Sequence, residues 1–223
     1  MMKVWGRRNS MNVQKVMWTL GEIGMPYERV DVGGSFGGTA TDEFGQMNPN
    51  RRIPVIQDNG LVLWESNVIV RYLTNVHDAE GVVHAGDPQT TAIADQWMEW
   101  MQTVLVGDMT VIFGGMIVGV PNPPSQAQMD SSIEKLATLW GIVEAQLDGQ
   151  DYIAGDKLSI GDIALGPALH RYLNFPIERP SLPNVEAWYA RLLDRPAYSQ
   201  HVGFPFGGSP AEWRALEQAG AGL

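Results

Sequence analysis

The chain has 223 residues, 44% of them hydrophobic and 18% charged, enough to bury a large core as one large domain or two small ones. It contains no cysteine, which excludes disulfides, thiolate metal sites and a protein thiol nucleophile, and suits a reducing cytosol. A net charge of −10 makes it a poor partner for nucleic acid.

The charge is uneven. Residues 1–80 carry 8 Lys/Arg against 9 Asp/Glu, and residues 81–223 carry 7 against 16. The near-neutral first third groups Arg7, Arg8, Arg51 and Arg52 near turns, where they can hold a small anion. Its first 25 residues have no apolar run before a small-residue cleavage site, so no signal peptide is expected. The most apolar segment, Thr103 to Pro121, contains Asp108 and four glycines. It falls short of the roughly 20 residues that span a bilayer and reads as a buried helix, so no membrane partner is expected.

In chain order, Lys3–Gly6 reads as a strand. Val13, Val16, Met17, Leu20 and Ile23 recur at helical spacing, and Gly24 ends that helix. Tyr27–Val32 reads as a second strand, Gly33–Gly38 as a glycine-rich loop and Thr41–Met47 as a short helix. Pro54–Gln57 and Leu61–Trp64 flank Asp58-Asn59-Gly60, a strong hairpin signal. A helix follows, with Val68, Ile69, Tyr72, Leu73 and Val76 on one face. The order β-α-β-α-β-β-α predicts a mixed sheet with helices on its faces. A polar linker covers 81–87, and no strand pattern is found after it. Helices are expected from Pro88 to about Gly119 and over Ser125–Leu147, Ile160–Leu173 and Pro183–Leu193, with a Gly/Ala-rich tail fraying from Gly207. Ser159 and Asp162 form a capping box with Leu158 and Ile163 as its staple, worth roughly 1 kcal/mol.

Four short stretches carry candidate chemistry. Glu65-Ser66 closes a strand and opens a helix. It suits an amino-acid zwitterion, ammonium to Glu65 and carboxylate to Ser66 and the helix terminus, or is an ordinary cap. Ile53-Pro54 opens a strand. A cis bond there would turn the Ile53 N–H and C=O outward to pair with a peptide backbone, whereas a trans proline would be a plain strand start. Arg51 and Arg52 can pair with a second carboxylate or lie solvated in a turn. Ser10 and Asn12 stand where "WGRRNSMNVQKVMW" passes from strand to helix. Asn12 can cap the helix, or a ligand thiolate can sit at its N-terminus.

These pieces, in this order, resemble a cytosolic glutathione transferase. The strings "SMNVQKV", "NPNRRIPVI", "LWESNVIVRYL", "LSIGDIALGPAL" and "PNVEAWYARLLDRPAY" span nearly the whole chain. "WGRRNSMNVQKV" with "GGSFGG" is most similar to bacterial B-type members, and the Ser-x-Asn pair also to Nu-class members. The resemblance implies a thioredoxin-like α/β domain at 1–80 that binds glutathione, and an all-helical domain at 88–223. It implies that Glu65 and Ser66 hold the γ-glutamyl end and that Ile53, before a cis-Pro54, pairs with the cysteinyl backbone. Arg52, and with it Arg51, would face the glycyl carboxylate, and Asn12 or Ser10 would stabilise the thiolate, with Asn12 favoured. Many relatives place tyrosine or cysteine near that position. Those with a catalytic serine often have proline two residues on, where this chain has Asn12. A small hydrophobic electrophile would lie between the domains, against Met11, Trp97, Trp100, Met101, Val104, Phe113 and Met116, residues whose helical spacing equally fits a plain core.

The implied activity is conjugation of the glutathione thiolate to electrophiles, as in detoxification, by a cytoplasmic homodimer. Glutathione is the co-substrate, and no metal is needed. Reduction of glutathionyl disulfides, or glutathione binding without turnover, are the alternatives. Two other readings are weaker. Gly33-Gly34-Ser35-Phe36-Gly37 fits a nucleophile elbow, but only two strands precede it. His77, His84, His170 and His201 lie at no metal-ligand spacing.

Overall fold

The structure, a computed structural model, describes residues 1–83 and 86–222. Of the linker expected at 81–87, His84 and Ala85 lie outside the described residues. The first region runs β1 (Met2–Trp5), α1 (Met11–Glu22), β2 (Tyr27–Val30), α2 (Asp42–Met47), β3 (Val55–Asp58), β4 (Leu61–Trp64) and α3 (Ser66–His77). The sheet order is β2-β1-β3-β4. β1 is parallel to β2, with Met2 opposite Tyr27, and antiparallel to β3, which pairs antiparallel with β4 through the Asn59-Gly60 turn.

Each face of the sheet has its own cover. Met2, Val4 and Ile56 pack on Val13, Val16, Met17 and Leu20 of α1 and on Ile69 and Leu73 of α3. Val55 and Val32 pack on Phe44 of α2. The pattern follows the strand period of two and the helix period of 3.6.

The rest of the described chain is helical apart from turns and one isolated bridge. One continuous helix spans Pro88–Val118: α4 (Pro88–Trp100), a wide turn over Met101–Leu105, α5 (Val106–Ile112) and a second wide turn over Phe113–Val118. By length and composition alone it could cross a membrane. In the fold its apolar stripe, including Met98, Met101, Leu105 and Ile112, is buried in the main core. Then come α6 (Gln126–Gln146), α7 (Ile160–Asn174), α8 (Pro183–Leu193), α9 (Pro196–His201) and α10 (Pro210–Ala219).

α7 is buried from Ile160 through Tyr172, so it is the axis on which the other helices pack. Gly166 brings it close to α1: a Cβ there would stand 2.5 Å from the Trp18 ring. With α3 on one side and α7 and α9 on the other, α1 is buried all round from Val13 to Leu20.

The expected frayed tail is a correction. Ser209 caps α10, Pro210 opens it, and Trp213 and Glu217 are buried. Arg7 Nε donates to Glu217 Oε1 at 2.6 Å and the Ser35 N–H to Oε2 at 3.0 Å. Glycine and alanine content hid a helix whose stability comes from these long-range contacts.

Candidate functional site

Two helices of the first region, α1 after the central strand β1 and α3 after the edge strand β4, begin with N-termini that no side chain caps. A helix start leaves N–H groups without internal partners, and a side chain usually accepts from them. Thr41, Asp87, Ser125 and Ser209 do so for α2, α4, α6 and α10, and Glu144 does so for Asn184 and Val185 of α8. Among the described residues no side chain does so for α1, α3 or the short α9.

At α1, Ser10 occupies the cap position in an extended conformation, yet its hydroxyl makes no cap bond. Asn12, in the first turn, keeps its side-chain Oδ1 buried without a partner. The Asn9 amide next to it is also buried and unpartnered at both ends. No acidic side chain lies in this turn. The positive end of α1 therefore faces an open position flanked by a hydroxyl and an amide.

At α3, Glu65 adopts φ 71°, a conformation costly for a residue with a Cβ. That backbone leaves its carboxylate exposed while Ser66, the first helical residue, is buried. An anion at the α3 N-terminus and a cation at Glu65 would complete this turn.

Between the two lies the Ile53-Pro54 bond, which is cis. Ladder pairing begins only at Val55, opposite Trp5, and among the described residues neither the N–H nor the C=O of Ile53 has a backbone partner. An extended peptide can pair there as an added strand.

The structure separates the two arginines. Arg51 Nη1 donates to the carbonyls of Thr39 and Thr41, and Nη2 lies 3.6 Å from Asp42. It stitches the loop to α2. Arg52 is exposed and without a side-chain partner among the described residues, while its carbonyl accepts from Asn48 at 2.8 Å.

The residues expected around a second substrate divide. Trp97 and Met101 are buried in the helical core, and Val104 is exposed. Met11, Trp100, Phe113 and Met116 are half-buried at its edge. Phe113 sits in an aromatic cluster with Phe175, Phe206 and Trp213 of α10. The Arg171 guanidinium stacks 4.0 Å from the Phe113 ring centre and donates to the Asn9 carbonyl. That bond ties the cluster to the loop that enters α1. Beside the cluster lie two mostly apolar cavities. One, of 420 Å³, includes Val111, Phe113 and Val118, and one, of 220 Å³, includes Arg8, Asn9, Phe204 and Leu216.

Comparison with known proteins identifies the fold. The family description "Glutathione S-transferase, N-terminal domain" matches residues 1–75, and "Glutathione S-transferase, C-terminal domain" matches residues 93–196. The chain belongs to the glutathione S-transferase family. Glutathione S-transferase GstB of Escherichia coli K12 is 35% identical over 207 residues, covering 92% of this chain and 99% of that one. Glutathione S-transferase 4 of Zea mays is 31% identical, covering 94% and 96%. The solved theta-class glutathione S-transferase of the citrus canker pathogen Xanthomonas axonopodis pv. citri, with glutathione bound, is 38% identical. It superposes with a TM-score of 0.86 over 92% of this chain and 99% of that one.

Within this family member, sequence reasoning missed three side chains near the candidate site. Lys15 is fully buried on α1 and donates to Asn67 Oδ1 at 3.2 Å, with Met101 Sδ 3.6 Å away. Asn67 in turn donates to the Met98 carbonyl. Glu217 reaches the site from α10 by the contacts already given. A lysine beside the apolar Val13, Val16 and Met17 of one helix was the available signal for the first, and no local pattern marks the third.

The rival chemistries find no support in the geometry. Ser35 lies in a 3₁₀ turn over Gly34–Phe36, where its N–H meets Glu217, and among the described residues its hydroxyl has no hydrogen-bond partner. His77 pairs with Asp58, and His170 with Tyr189 and the Phe204 carbonyl. Burial pushes the pKa of His170 and His201 down to about 4. Among the described residues no group of three potential ligands could hold a metal ion.

Proposed function

We propose that the chain is a glutathione transferase that presents a thiolate at the N-terminus of α1 and adds it to a small apolar electrophile. The observation that carries this reading is the pair of unfinished helix starts, α1 with Ser10 and the unpartnered Asn12 amide, and α3 with Glu65 and Ser66, on either side of the free Ile53 backbone. Residues 1–80 hold glutathione, and residues 88–223 carry the electrophile pocket. Glu65 meets the γ-glutamyl ammonium, while Ser66 and the α3 terminus meet its carboxylate. Ile53 pairs with the cysteinyl backbone, and Arg52 faces the glycyl carboxylate, with Arg51 supporting the loop.

Asn12 and Ser10 are the thiolate's donors. An amide can turn its NH₂ toward sulfur with little change in shape. A free thiol titrates near 8.5, roughly two pH units too high for substantial ionisation in acid-to-neutral solution. Lowering its pKa by two units requires about 2.7 kcal/mol, within reach of one charge-assisted hydrogen bond and a helix terminus. Nucleophilic substitution or addition then needs only the electrophile held beside the sulfur. Met11, Trp100, Phe113 and Met116 border that space.

We assign the protein to the cytoplasm as a homodimer, a role in keeping with a cysteine-free chain. Exposed Leu61, Trp64 and Val68 on β4–α3, and Ile93 and Val104 on the long helix, support the dimer.

The test is an ultraviolet titration of glutathione bound to the protein. A thiol pKa near 6.5 is expected. Binding with an unshifted pKa would leave a binding module rather than an enzyme, and no binding would remove the assignment. Ser66→Ala is expected to weaken binding by roughly 1–3 kcal/mol. Unchanged affinity would remove Ser66 from the site.

A further inference from the structure

Lys15 has no part in the scheme above, yet it occupies the centre of the site's scaffold. Its ammonium is buried where α1, α3 and the long helix meet. Asn67, its oxygen partner, is the residue after Ser66, and is held from the other side by the Met98 carbonyl. An ammonium has three N–H donors. Among the described residues this one has a single oxygen acceptor, at 3.2 Å, and a thioether sulfur at 3.6 Å.

We propose that Lys15 is the internal counter-cation of bound glutathione, held by Asn67 beneath the Glu65–Ser66 turn and protonated when the γ-glutamyl end occupies that turn. The inference rests on the glutathione site proposed above.

The surrounding charges leave this role open. The carboxylates that act on Lys15 are Glu65, at the start of α3, and Glu99, on α4. Glu99 is already paired with Arg71 of α3, whose Nε also bonds Asp95. On α7, Asp162 is taken up by Ile153, Ser159 and Trp188, and Arg171 by the Asn9 carbonyl. On α9, His201 lies against Gly21, nearly two turns beyond Lys15. Glu65 is thus the carboxylate that remains for Lys15, and it is also the group proposed to receive the ligand ammonium.

Burial pulls the lysine pKa down to about 7 against the attraction of Glu65 and Glu99. In the free protein it is therefore only partly charged near neutrality. In the site proposed above, the γ-glutamyl carboxylate meets Ser66, the residue before the Lys15 partner Asn67, while the ligand ammonium meets the exposed Glu65. An anion beside a buried amine raises its proton affinity. Binding and protonation of Lys15 are consequently linked: the complex takes up a proton that the free protein lacks.

S-methylglutathione tests this without interference from the thiol proton. Its binding to the full chain is measured calorimetrically at pH 7.5 in buffers of different ionisation enthalpy, which gives the number of protons taken up. With a pKa of about 7, about a quarter of Lys15 is charged beforehand, so uptake can approach about three quarters of a proton. The wild type is expected to take up about half a proton more than Lys15→Met, which is also expected to bind at least tenfold more weakly. Equal uptake in the two proteins overturns the proposal. Asn67→Asp supplies a second route should Lys15→Met fold poorly. A carboxylate beside Lys15 keeps it charged in the free protein, so binding should persist with the extra uptake gone. Undiminished uptake in Asn67→Asp also overturns the proposal. No binding by the wild type at any pH would instead remove the glutathione site itself, and this inference with it.

Discussion

Two serines begin two long helices in this protein, and their surroundings are opposite. Ser159 at the start of α7 is buried with Asp162. That carboxylate accepts from the Ser159 N–H at 2.8 Å, the Ser159 hydroxyl at 2.6 Å, the Ile153 N–H at 2.9 Å and Trp188 Nε1 at 3.1 Å. Burial pushes the Asp162 pKa up to about 6, and the Ile153 and Ser159 donors oppose the shift, so it is mostly ionised at neutral pH. Ser10 at the start of α1 has no acidic partner and makes no cap bond, and the Asn12 amide behind it has a buried atom without a partner. Leaving a buried polar group unpaired costs about 1–3 kcal/mol. At the α7 terminus the Asp162 carboxylate is matched within the protein by donors from three residues, and it carries stability. The α1 terminus leaves groups unmatched, as a site must if a ligand is to complete it.

The sharpest way to break that contrast is Asp162→Ala. It strands three buried N–H groups and a hydroxyl at once, and is expected to destabilise the fold by about 3–5 kcal/mol in urea unfolding. A loss below about 1 kcal/mol would mean that the α7 cap is not the structural anchor described. Next in size is a pH effect from the α1 side. The Lys15 pKa is about 7 in the folded chain against an ordinary 10.5. Between those values the unfolded lysine keeps a proton that the folded one has lost, so stability rises with pH, and the full burial penalty is present below pH 7. From pH 7 to pH 9 the gain should be about 2 kcal/mol, absent in Lys15→Met. A wild-type curve as flat as the variant's would mean that Lys15 is not the buried, weakly paired cation seen here.

The sequence was most legible where one short pattern settles a local structure. Asp58-Asn59-Gly60 gave the β3–β4 turn, and Leu158 to Ile163 gave the start of α7, because turn and cap chemistry act within a few residues. Ser10, Asn12, Ile53, Glu65 and Ser66 were legible as a set only through the family resemblance, since each alone fits an ordinary cap or strand start. Whether Pro54 was cis could not be read from one X-Pro pair. The division of labour between Arg51 and Arg52 was hidden because it depends on the Thr39 and Thr41 carbonyls and Asp42 closing around one guanidinium. Helix α10 was misread for the same reason. Its anchors, Arg7 and Ser35, lie more than 180 residues away in sequence. Lys15 was overlooked because its surroundings, Asn67 of α3 and Met101 of the long helix, lie 52 and 86 residues away in sequence.

Asn12→Ala comes third in size and reads the α1 terminus directly. Removing an amide that has no partner in the free protein should leave unfolding within about 0.5 kcal/mol of wild type. The bound thiol pKa should rise by about one unit, equivalent to about 1.4 kcal/mol, and turnover below that pKa should fall about tenfold with affinity for glutathione nearly unchanged. A drop in stability with no change in thiol pKa would make Asn12 a structural cap after all.

The smallest effect separates the two serines themselves. Ser159→Ala removes the hydroxyl that donates to Asp162 and should cost about 1 kcal/mol. Ser10→Ala removes a hydroxyl that makes no cap bond and should cost less than about 0.5 kcal/mol. The order should reverse when glutathione saturates the protein. Ligand stabilisation grows with affinity, so a Ser10 hydroxyl that meets the bound thiolate adds to the melting shift produced by glutathione, and Ser10→Ala should lose part of that shift. Ser159→Ala should keep all of it, because its hydroxyl faces Asp162 and not the ligand. Equal shifts in wild type and Ser10→Ala would leave Asn12 as the thiolate's side-chain donor and make Ser10 a bystander at an otherwise functional helix start.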